Sequence, residues 1–192
     1  TGLWDAKADR APVLALTGQV DNQVLGPGAF QEVDLAAAFE AVTRWSQTVL
    51  PSSKHAELAA LACKNAIVER DVAHLIFPDD VQTIPAGDEK PAQPEGRVGA
   101  PAITPPTEVV DRAVTMLAEA RRPVIVAGYG ARNAMDGVVG LAELLGAPVI
   151  TTFKAKGQIG DDHPLACGVL GRSGTPVASW IMNEADLLLV LG

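Results

Sequence analysis

Short apolar runs alternate along this chain with longer stretches in which apolar residues return every three or four positions. Runs with the length and composition of strands lie at residues 13–16, 44–49, 74–77, 123–127, 148–152 and 187–191. Alternation of such runs with helical periods predicts βαβ units and parallel strand pairing. We therefore predict an α/β protein with two Rossmann-like, open and mainly parallel sheets, both flanked by helices and both incomplete.

The helical stretches carry narrow stripes of small apolar residues. Ser52 or Ser53 is the expected N-cap of the first helix, Thr104 followed by Pro105 predicts the start of the second, and Gly146 should end the third. A fourth helix is expected over residues 176–183. The stripes comprise Ala59, Ala62, Cys63, Ala66 and Ile67 in the first helix, Val110, Ala113, Val114, Leu117 and Ala118 in the second, and Val138, Leu141, Ala142 and Leu145 in the third.

A segment without periodicity separates the two halves of this pattern. Residues 84–106 contain six prolines, several glycines and mixed charge, which is typical of a linker between domains. We therefore expect one domain over residues 1–85, a linker over 86–103 and a second domain over 104–192. The chain opens on Thr1 rather than Met and stops after the strand pattern that ends at Gly192, so both ends are expected to be cut through a larger protein.

Charge and composition narrow the classes of partner. The formal net charge is -8 and the 15 basic residues are scattered, so nucleic acid is excluded as a partner. No apolar run approaches the ~20 residues of a membrane span, and no leader opens the chain, which predicts a cytoplasmic protein. Cys63 and Cys167 lie among small residues and are expected to be buried, reduced thiols.

One glycine-rich loop follows a predicted strand and leads into a predicted helix. In the segment 128–133, Gly128 and Gly130 leave backbone N–H groups bare at a helix start, where a phosphate can bind. Asn133 stands where the dinucleotide fingerprint has its third glycine, and no ribose-binding acid follows the next strand, so an ordinary NAD site is disfavoured. Lys154 and Lys156 at the end of that next strand favour an anionic ligand. The alternative is that the glycines only permit a tight turn and the lysines are solvated.

Other polar segments give weaker signals. The glycine-rich segment 168–174 either approaches a ligand with its backbone and Arg172 or is a tight connection before Pro176. Asp161-Asp162-His163 predicts a turn and not a metal site, because adjacent loop residues point in different directions. On composition alone Phe30 is ordinary core, and Glu32 and Asp34 are favourable charges in a first helical turn. His55 and His74 complete no catalytic set.

Several of these segments resemble one family in its own order. Residues 12–19, 28–34 and 76–81 resemble the second half of the pyrimidine-binding domain of the pyruvate oxidase and acetolactate synthase family, which depends on thiamine diphosphate. Residues 122–132, 152–157, 162–164, 170–174 and 185–192 resemble its central domain. The resemblance covers nearly the whole chain, and its colinearity is more specific than any one segment.

The resemblance implies an enzyme that adds the thiazolium carbanion of thiamine diphosphate to a 2-oxoacid such as pyruvate, releases CO2 and passes the product to an acceptor. It implies that Phe30 and Gln31 lie near the thiazolium and the substrate. It also implies that FAD or ADP is held in the central domain by Gly128, Gly130, Ala131, Arg132, Phe153, Lys154, Lys156, Gly157, Gly171 and Arg172.

The same resemblance sets limits on this chain. The family's catalytic glutamate is expected upstream of Thr1, and its diphosphate and Mg2+ motif after Gly192, so no metal ligand and no decarboxylase activity are expected of these residues alone. Relatives of this kind assemble as homodimers or homotetramers. Two other classes stay open, a stand-alone Rossmann-like nucleotide-binding or regulatory module and a purely structural scaffold.

Overall fold

The computed structural model describes residues 1–88, 90–91, 96–99 and 103–192. The chain divides into two units, Thr1–Ala102 and Ile103–Gly192, each built on its own sheet. The predicted linker at 86–103 includes residues 89, 92–95 and 100–102, which lie outside the described residues. The linker and the assignment of the two flanking domains therefore stay predictions.

The first unit is built on a three-stranded parallel sheet in the order β1-β3-β2. Its central strand is buried along nearly its whole length, which explains why its sequence is almost continuously apolar. The strands are β1 (Val13–Gln19), β2 (Trp45–Thr48) and β3 (Val72–Pro78), and the helices are α1 (Gly2–Ala8), α2 (Leu35–Phe39), α3 (His55–Glu69) and α4 (Asp79–Gln82). Because all strands are parallel, their carboxyl ends meet at one edge of the sheet.

Helix α3 packs on this sheet along a narrower line than its sequence predicts. Ala62 and Ala66 are buried against β3, one turn apart on the helix. The prediction of an inward position was wrong for the remaining residues of the stripe, which are exposed: Ala59, Cys63 and Ile67. The row that meets the sheet is Leu58, Ala62 and Ala66, spaced four residues apart, and the flanks of the predicted stripe face solvent. Cys63 and Cys167 are both free thiols, as expected, but Cys63 is exposed.

The N-cap of α3 also differs from the prediction. Lys54 takes the N-cap position and makes no side-chain capping bond. The Ser53 hydroxyl instead accepts a hydrogen bond from the Leu50 N–H at 2.9 Å and closes the turn before the helix. Ser53 thus lies next to the start of the helix, but its side chain binds the backbone of the preceding turn and not the first N–H groups of the helix.

The second unit is a four-stranded parallel sheet in the order β6-β5-β4-β7. The order reverses at β4, because β5 and β6 extend to one side of it and β7 lies on the other. The strands are β4 (Pro123–Ala127), β5 (Val149–Thr151), β6 (Ala166–Val169) and β7 (Leu187–Leu191), and the helices are α5 (Thr107–Glu119), α6 (Met135–Leu145) and α7 (Pro176–Glu184). Two open, parallel sheets flanked by helices confirm the predicted α/β class.

Helices cover both faces of the second sheet. Successive residues of β4 point to opposite faces, so its two sets of side chains enter different cores. On one face α6 contributes Val138 and Ala142 to a core with Ile125, Ala127 and Val149. On the other face α7 contributes Ala178 to a core with Val124, Val126 and Ile150. Gly146 ends α6 in the left-handed conformation, as predicted.

Two features of the second unit differ from the sequence prediction. Helix α5 begins at Thr107 with Pro106 as its N-cap, later than Thr104–Pro105, because a residue that precedes proline is driven out of the helical region. Its predicted inward stripe is not buried, and Leu117 is only half-buried. Strand β6 was not predicted at all, so Gly168 lies in a strand and not in a loop. No described helix is both long and apolar enough to cross a bilayer.

Candidate functional site

The carboxyl edge of the second sheet holds a crevice where the strand order reverses. In open parallel sheets ligands bind outside the carboxyl ends of the strands at such a reversal. Here the backbone after β4 crosses the end of β7, and the Gly128 N–H donates to the Leu191 carbonyl at 2.7 Å. A Cβ atom on Gly128 would lie 2.5 Å from the Gly192 carbonyl oxygen, and one on Gly130 would lie 2.8 Å from the Gly192 Cα. Both glycines are therefore required for this close backbone approach, whether or not a ligand binds.

A 3-10 helix over Tyr129–Ala134 begins directly after Gly128, contains Gly130 and leads into α6. The predicted direct passage from glycine loop to α-helix is thus interrupted by a tighter turn, and the amino end of α6 lies at Met135. Ala131 is buried in the core, and its N–H donates to the Gly128 carbonyl at 3.1 Å. The Arg132 guanidinium lies over the Tyr129 ring, 4.5 Å from its centroid, where the cation is attracted to the face of the ring.

The other predicted cofactor loops reach the same edge. The 3-10 helix over Phe153–Ala155 follows β5 and contacts the one that follows β4. A Cβ atom on Gly171, after β6, would lie 2.9 Å from the Phe153 ring, so these two loops touch. Tyr129 and Phe153 are 48% and 57% exposed beside the crevice, although the Arg132 guanidinium covers one face of the Tyr129 ring.

The predicted cations of these loops differ in their partners. Lys156 forms an ion pair with the Asp161 carboxylate, a partner that neither interpretation of the sequence included. Gly157 follows it with a positive φ of 89° and completes the turn. Lys154 and Arg172 are exposed at the same edge.

These residues fit an adenosine diphosphate group better than a metal ion. Two exposed rings suit a flat base, and Arg132, Arg172 and Lys154 suit phosphate oxygens. In contrast, the described residues contain no group of three or more His, Cys, Asp or Glu side chains that could hold a metal. Asp161 is paired with Lys156, and the His163 ring lies 3.3 Å from the Glu143 carboxylate.

A second candidate site lies at the carboxyl edge of the first sheet. A cavity of ≈ 670 Å³ opens beside the ends of β1 and β3. Its lining includes Gly18, Gln19, Gln31, Asp79 and Gln82. Gln31 has a φ of 68°, which is uncommon for a residue with a side chain and is a form of strain found at functional sites.

The carboxylate of Glu32 holds the loop that carries Gln31. One oxygen accepts from the Gly26 N–H at 2.7 Å, and the other accepts from the N–H groups of Gly28 at 2.8 Å and Ala29 at 2.9 Å. These backbone hydrogen bonds hold the pKa of Glu32 below its ordinary value, the bond from Gly26 having the largest effect. Phe30 stands at the tip of the closed loop with 89% of its surface exposed, so its assignment to the core from composition was wrong.

Two further side chains join the end of β1 to neighbouring segments at this edge of the sheet. The Gln19 Nε2 donates to the Val33 carbonyl at 2.6 Å, which joins the end of β1 to the segment after the Glu32 loop. The Asn22 Nδ2 lies 3.1 and 3.0 Å from the two Asp80 oxygens, which joins the same end of β1 to α4. Hydrogen bonds from the Asn22 side chain, followed by its backbone, lower the pKa of Asp80.

Known proteins that resemble this chain identify its family. Residues 110–192 match the family described as thiamine pyrophosphate enzyme, central domain. The whole chain is 36% identical to "Probable acetolactate synthase large subunit" of Methanocaldococcus jannaschii and covers 34% of that protein. It is also 36% identical, over its whole length, to acetolactate synthase isozyme 1 large subunit of Escherichia coli and covers 34% of it. Likewise, it is 33% identical to sulfoacetaldehyde acetyltransferase of Rhodobacter capsulatus and covers 32% of it.

The chain belongs to the thiamine-pyrophosphate-dependent enzyme family. This confirms the resemblance seen in the sequence, and the family's cofactor is thiamine diphosphate. The chain spans about a third of the length of the curated relatives that it matches.

Within this thiamine-enzyme chain, the structure gathers the ten residues predicted to bind FAD or ADP into loops at one sheet edge, while Phe30 and Gln31 lie in the other unit. The hydrogen bonds from the backbone of this loop to the Glu32 carboxylate were not predicted, because the sequence interpretation assigned Glu32 to a first helical turn. Helix α2 begins three residues later, and Asp34 is its N-cap. The signal was a glutamate placed shortly after two turn glycines, where it can accept from their N–H groups.

Removal of the Glu32 charge is expected to open this loop. In Glu32→Gln the amide nitrogen cannot accept hydrogen bonds, so at least one of the three N–H groups loses its partner. Amide hydrogen exchange at Gly26, Gly28 and Ala29 should accelerate by about tenfold or more. In the wild type the same loss of protection, taken relative to the intrinsic exchange rate at each pH, should appear only in acid, as the pH falls through the lowered pKa of Glu32.

Glu40→Gln is the matched control, because Glu40 is an exposed glutamate beyond α2 and outside the loop. It should leave exchange at all three amides unchanged. Equal protection of these amides in Glu32→Gln and in the wild type would refute the role assigned to Glu32.

Proposed function

We propose that this chain is part of a thiamine-diphosphate-dependent enzyme that converts a 2-oxoacid such as pyruvate by decarboxylation and transfer. Residues 1–85 form the later part of its pyrimidine-binding domain, and residues 104–192 form most of its central domain. Identity along the whole chain to acetolactate synthases supports this assignment. Cytoplasmic location and assembly as a homodimer or homotetramer are part of the same proposal.

The observation that carries the nucleotide part of the proposal is the reversal of strand order at β4. The loops after β4, β5 and β6 converge beside it, with two exposed aromatic rings and exposed cations. We assign this crevice to the adenosine diphosphate part of FAD, or to ADP itself. Arg132, Lys154 and Arg172 would contact phosphate oxygens, and Tyr129 and Phe153 would flank the base.

Thiamine diphosphate supplies a stabilised carbanion when it is bound. The residues of this chain assigned next to its thiazolium are Phe30 and Gln31, on the loop that Glu32 closes. Gln31 lines the cavity beside β1, and Phe30 is exposed at the tip of the loop. We assign the Mg2+ and the diphosphate to parts of the working enzyme outside these residues, since the chain spans about a third of the length of its curated relatives. We therefore propose that these 192 residues release no CO2 from a 2-oxoacid by themselves.

Thermal denaturation with nucleotides tests the assignment of the crevice. FAD or ADP at about ten times its dissociation constant should raise the Tm of the second unit by roughly 5 °C, whereas NAD should have no effect. Arg132→Gln should weaken the shift, because it removes a cation from the crevice. The matched control Arg112→Gln removes an exposed arginine from α5 and should leave the shift unchanged.

The outcomes separate the competing functions. Stabilisation by NAD would support a stand-alone nucleotide-binding module instead of a thiamine enzyme. If none of the three nucleotides stabilises the unit, the chain is a scaffold in this region and the crevice assignment fails.

Incubation of the chain with pyruvate, thiamine diphosphate and Mg2+ tests the proposed inactivity. We expect no CO2 release above that of the cofactor alone in buffer. Reproducible release that is lost on heat denaturation would show that these residues suffice for catalysis and would contradict the proposal.

A further inference from the structure

A second cavity in the second unit lies at the amino edge of its sheet, away from the glycine loops. Its volume is ≈ 290 Å³, close to the lower end of the ~300–1,000 Å³ range of small-molecule sites. It is an open pocket, lined by the residues before β4, the turn from α6 to β5 and the last turns of α7. Its apolar walls are formed by Pro123, Leu145, Pro148 and Ile181. We name it the amino-edge pocket.

The amino-edge pocket has one unpaired charge. Of its ionisable lining residues, Arg122 pairs with Glu184 at 2.9 Å. The carboxylate of Asp186, outside the lining, accepts from the backbone N–H groups of Arg121 at 2.8 Å and Arg122 at 2.9 Å. The Arg121 guanidinium has no hydrogen bond or ion pair to a described residue. The lining therefore carries a net charge of +1, located on a group whose donors are unused.

An exposed indole completes the pocket. Trp180 on α7 leaves 64% of its surface in water, although it is the largest apolar side chain in the lining. An aromatic face in this position gains free energy when a flat or branched apolar group covers it. The proline walls across the pocket offer a second apolar surface to the same group.

We propose that the amino-edge pocket binds a small organic carboxylate with a flat apolar body. The Arg121 guanidinium donates two parallel hydrogen bonds to the two oxygens of the carboxylate. The apolar body lies against Trp180 and the proline walls. Binding of an organic cation is disfavoured by the net charge of the lining. This site is independent of the proposed nucleotide crevice, which lies at the opposite edge of the sheet.

Titration of the 192-residue chain with cinnamate, followed by the Trp180 indole N–H signal in 1H–15N spectra, tests the proposal. The signal should shift saturably, with a dissociation constant of roughly 1 mM or tighter. Cinnamamide has the same flat body without the charge, so it should bind at least about tenfold more weakly. The indole signal is assigned by its loss in Trp180→Phe.

Two variants distinguish the contribution of the Arg121 charge to binding from that of the apolar surface. Arg121→Gln should weaken cinnamate by about tenfold or more and leave cinnamamide unchanged, while Trp180→Leu, followed by ligand-observed NMR, should weaken both. The matched control Arg112→Gln should change neither. Absence of a saturable shift up to roughly 10 mM, equal binding of acid and amide, or unchanged binding in Arg121→Gln would each overturn the proposal. The comparison of acid with amide uses the wild type and does not depend on any variant folding.

Discussion

Replacement of Gly174 by alanine destabilises the second unit by about 3 kcal/mol, the expected effect of forcing a side chain into a closed turn. A Cβ atom there would lie 2.2 Å from the Val169 carbonyl oxygen and 2.9 Å from the Gly171 nitrogen. Both atoms are backbone, and the Thr175 N–H also binds the Val169 carbonyl at 2.8 Å. The turn between β6 and α7 must therefore open, and α7 is displaced from its core contact through Ala178.

A urea titration followed by the Trp180 indole signal measures this loss, because Trp180 is the one tryptophan of the second unit. Gly140→Ala in the middle of α6 is the matched control, since a Cβ atom there meets nothing within 4 Å. Alanine in a helix interior should stabilise the unit by about 0.5–1 kcal/mol. A loss at Gly174→Ala below about 1 kcal/mol would show that the turn relaxes without displacing α7.

Replacement of His74 by alanine is expected to destabilise the first unit by about 4 kcal/mol. The ring is fully buried in β3 and stacks on Phe39 with centroids 4.4 Å apart. Its Nε2 lies 2.8 Å from the Thr17 hydroxyl of β1, and its Nδ1 lies 2.9 Å from the Ser46 hydroxyl of β2. The variant loses all three contacts, creates a cavity and leaves two hydroxyl groups without their partner.

The indole signal of Trp45 in β2 reports this loss in a urea titration. His55→Ala is the control, because His55 lies at the start of α3 and the one hydrogen bond of its ring to a described residue is with the Leu50 carbonyl. It should change stability by less than about 1 kcal/mol. Similar losses in the two variants would mean that burial and bonding of His74 contribute little.

The same histidine makes the first unit sensitive to mild acid. Burial lowers the pKa of His74, so the unfolded chain binds a proton more readily than the folded one. Its stabilising contribution is complete above the unfolded pKa of about 6.5 and falls as the pH drops from there through the lowered folded pKa. His74→Gln removes this titration. Stability of the wild type should therefore fall more steeply than that of His74→Gln between about pH 7 and pH 5. Parallel curves would contradict this role for His74.

How far the sequence predicted the fold depends on strand composition. The apolar runs at β4 and β7 were predicted with the bounds that the structure gives them. Burial on both faces requires apolar residues throughout β4, whereas Leu188 and Val190 of β7 are exposed. Strand β6 has the sequence Ala-Cys-Gly-Val, which is too short and too small to differ from a loop by pattern alone.

How far the sequence predicted the candidate sites depends on contacts across the chain. The glycine loops were found from their place after strands, yet Gly128 and Gly130 are also needed to pass the backbone at Gly192. Nothing local distinguishes Arg121 from Arg122, although only Arg122 has an ion-pair partner. That difference arises from Glu184, 62 residues further along the chain.

The periodicity of apolar residues by itself determined that this chain forms parallel α/β units, because that pattern expresses burial along each element. Strand order was decided only by the tertiary structure, which places β3 between β1 and β2 and puts β7 beside β4. Strand order in turn sets His74 between two hydroxyls and brings three loops to one crevice. Such contacts join residues far apart in sequence, and a local pattern carries no information about which distant element becomes a neighbour.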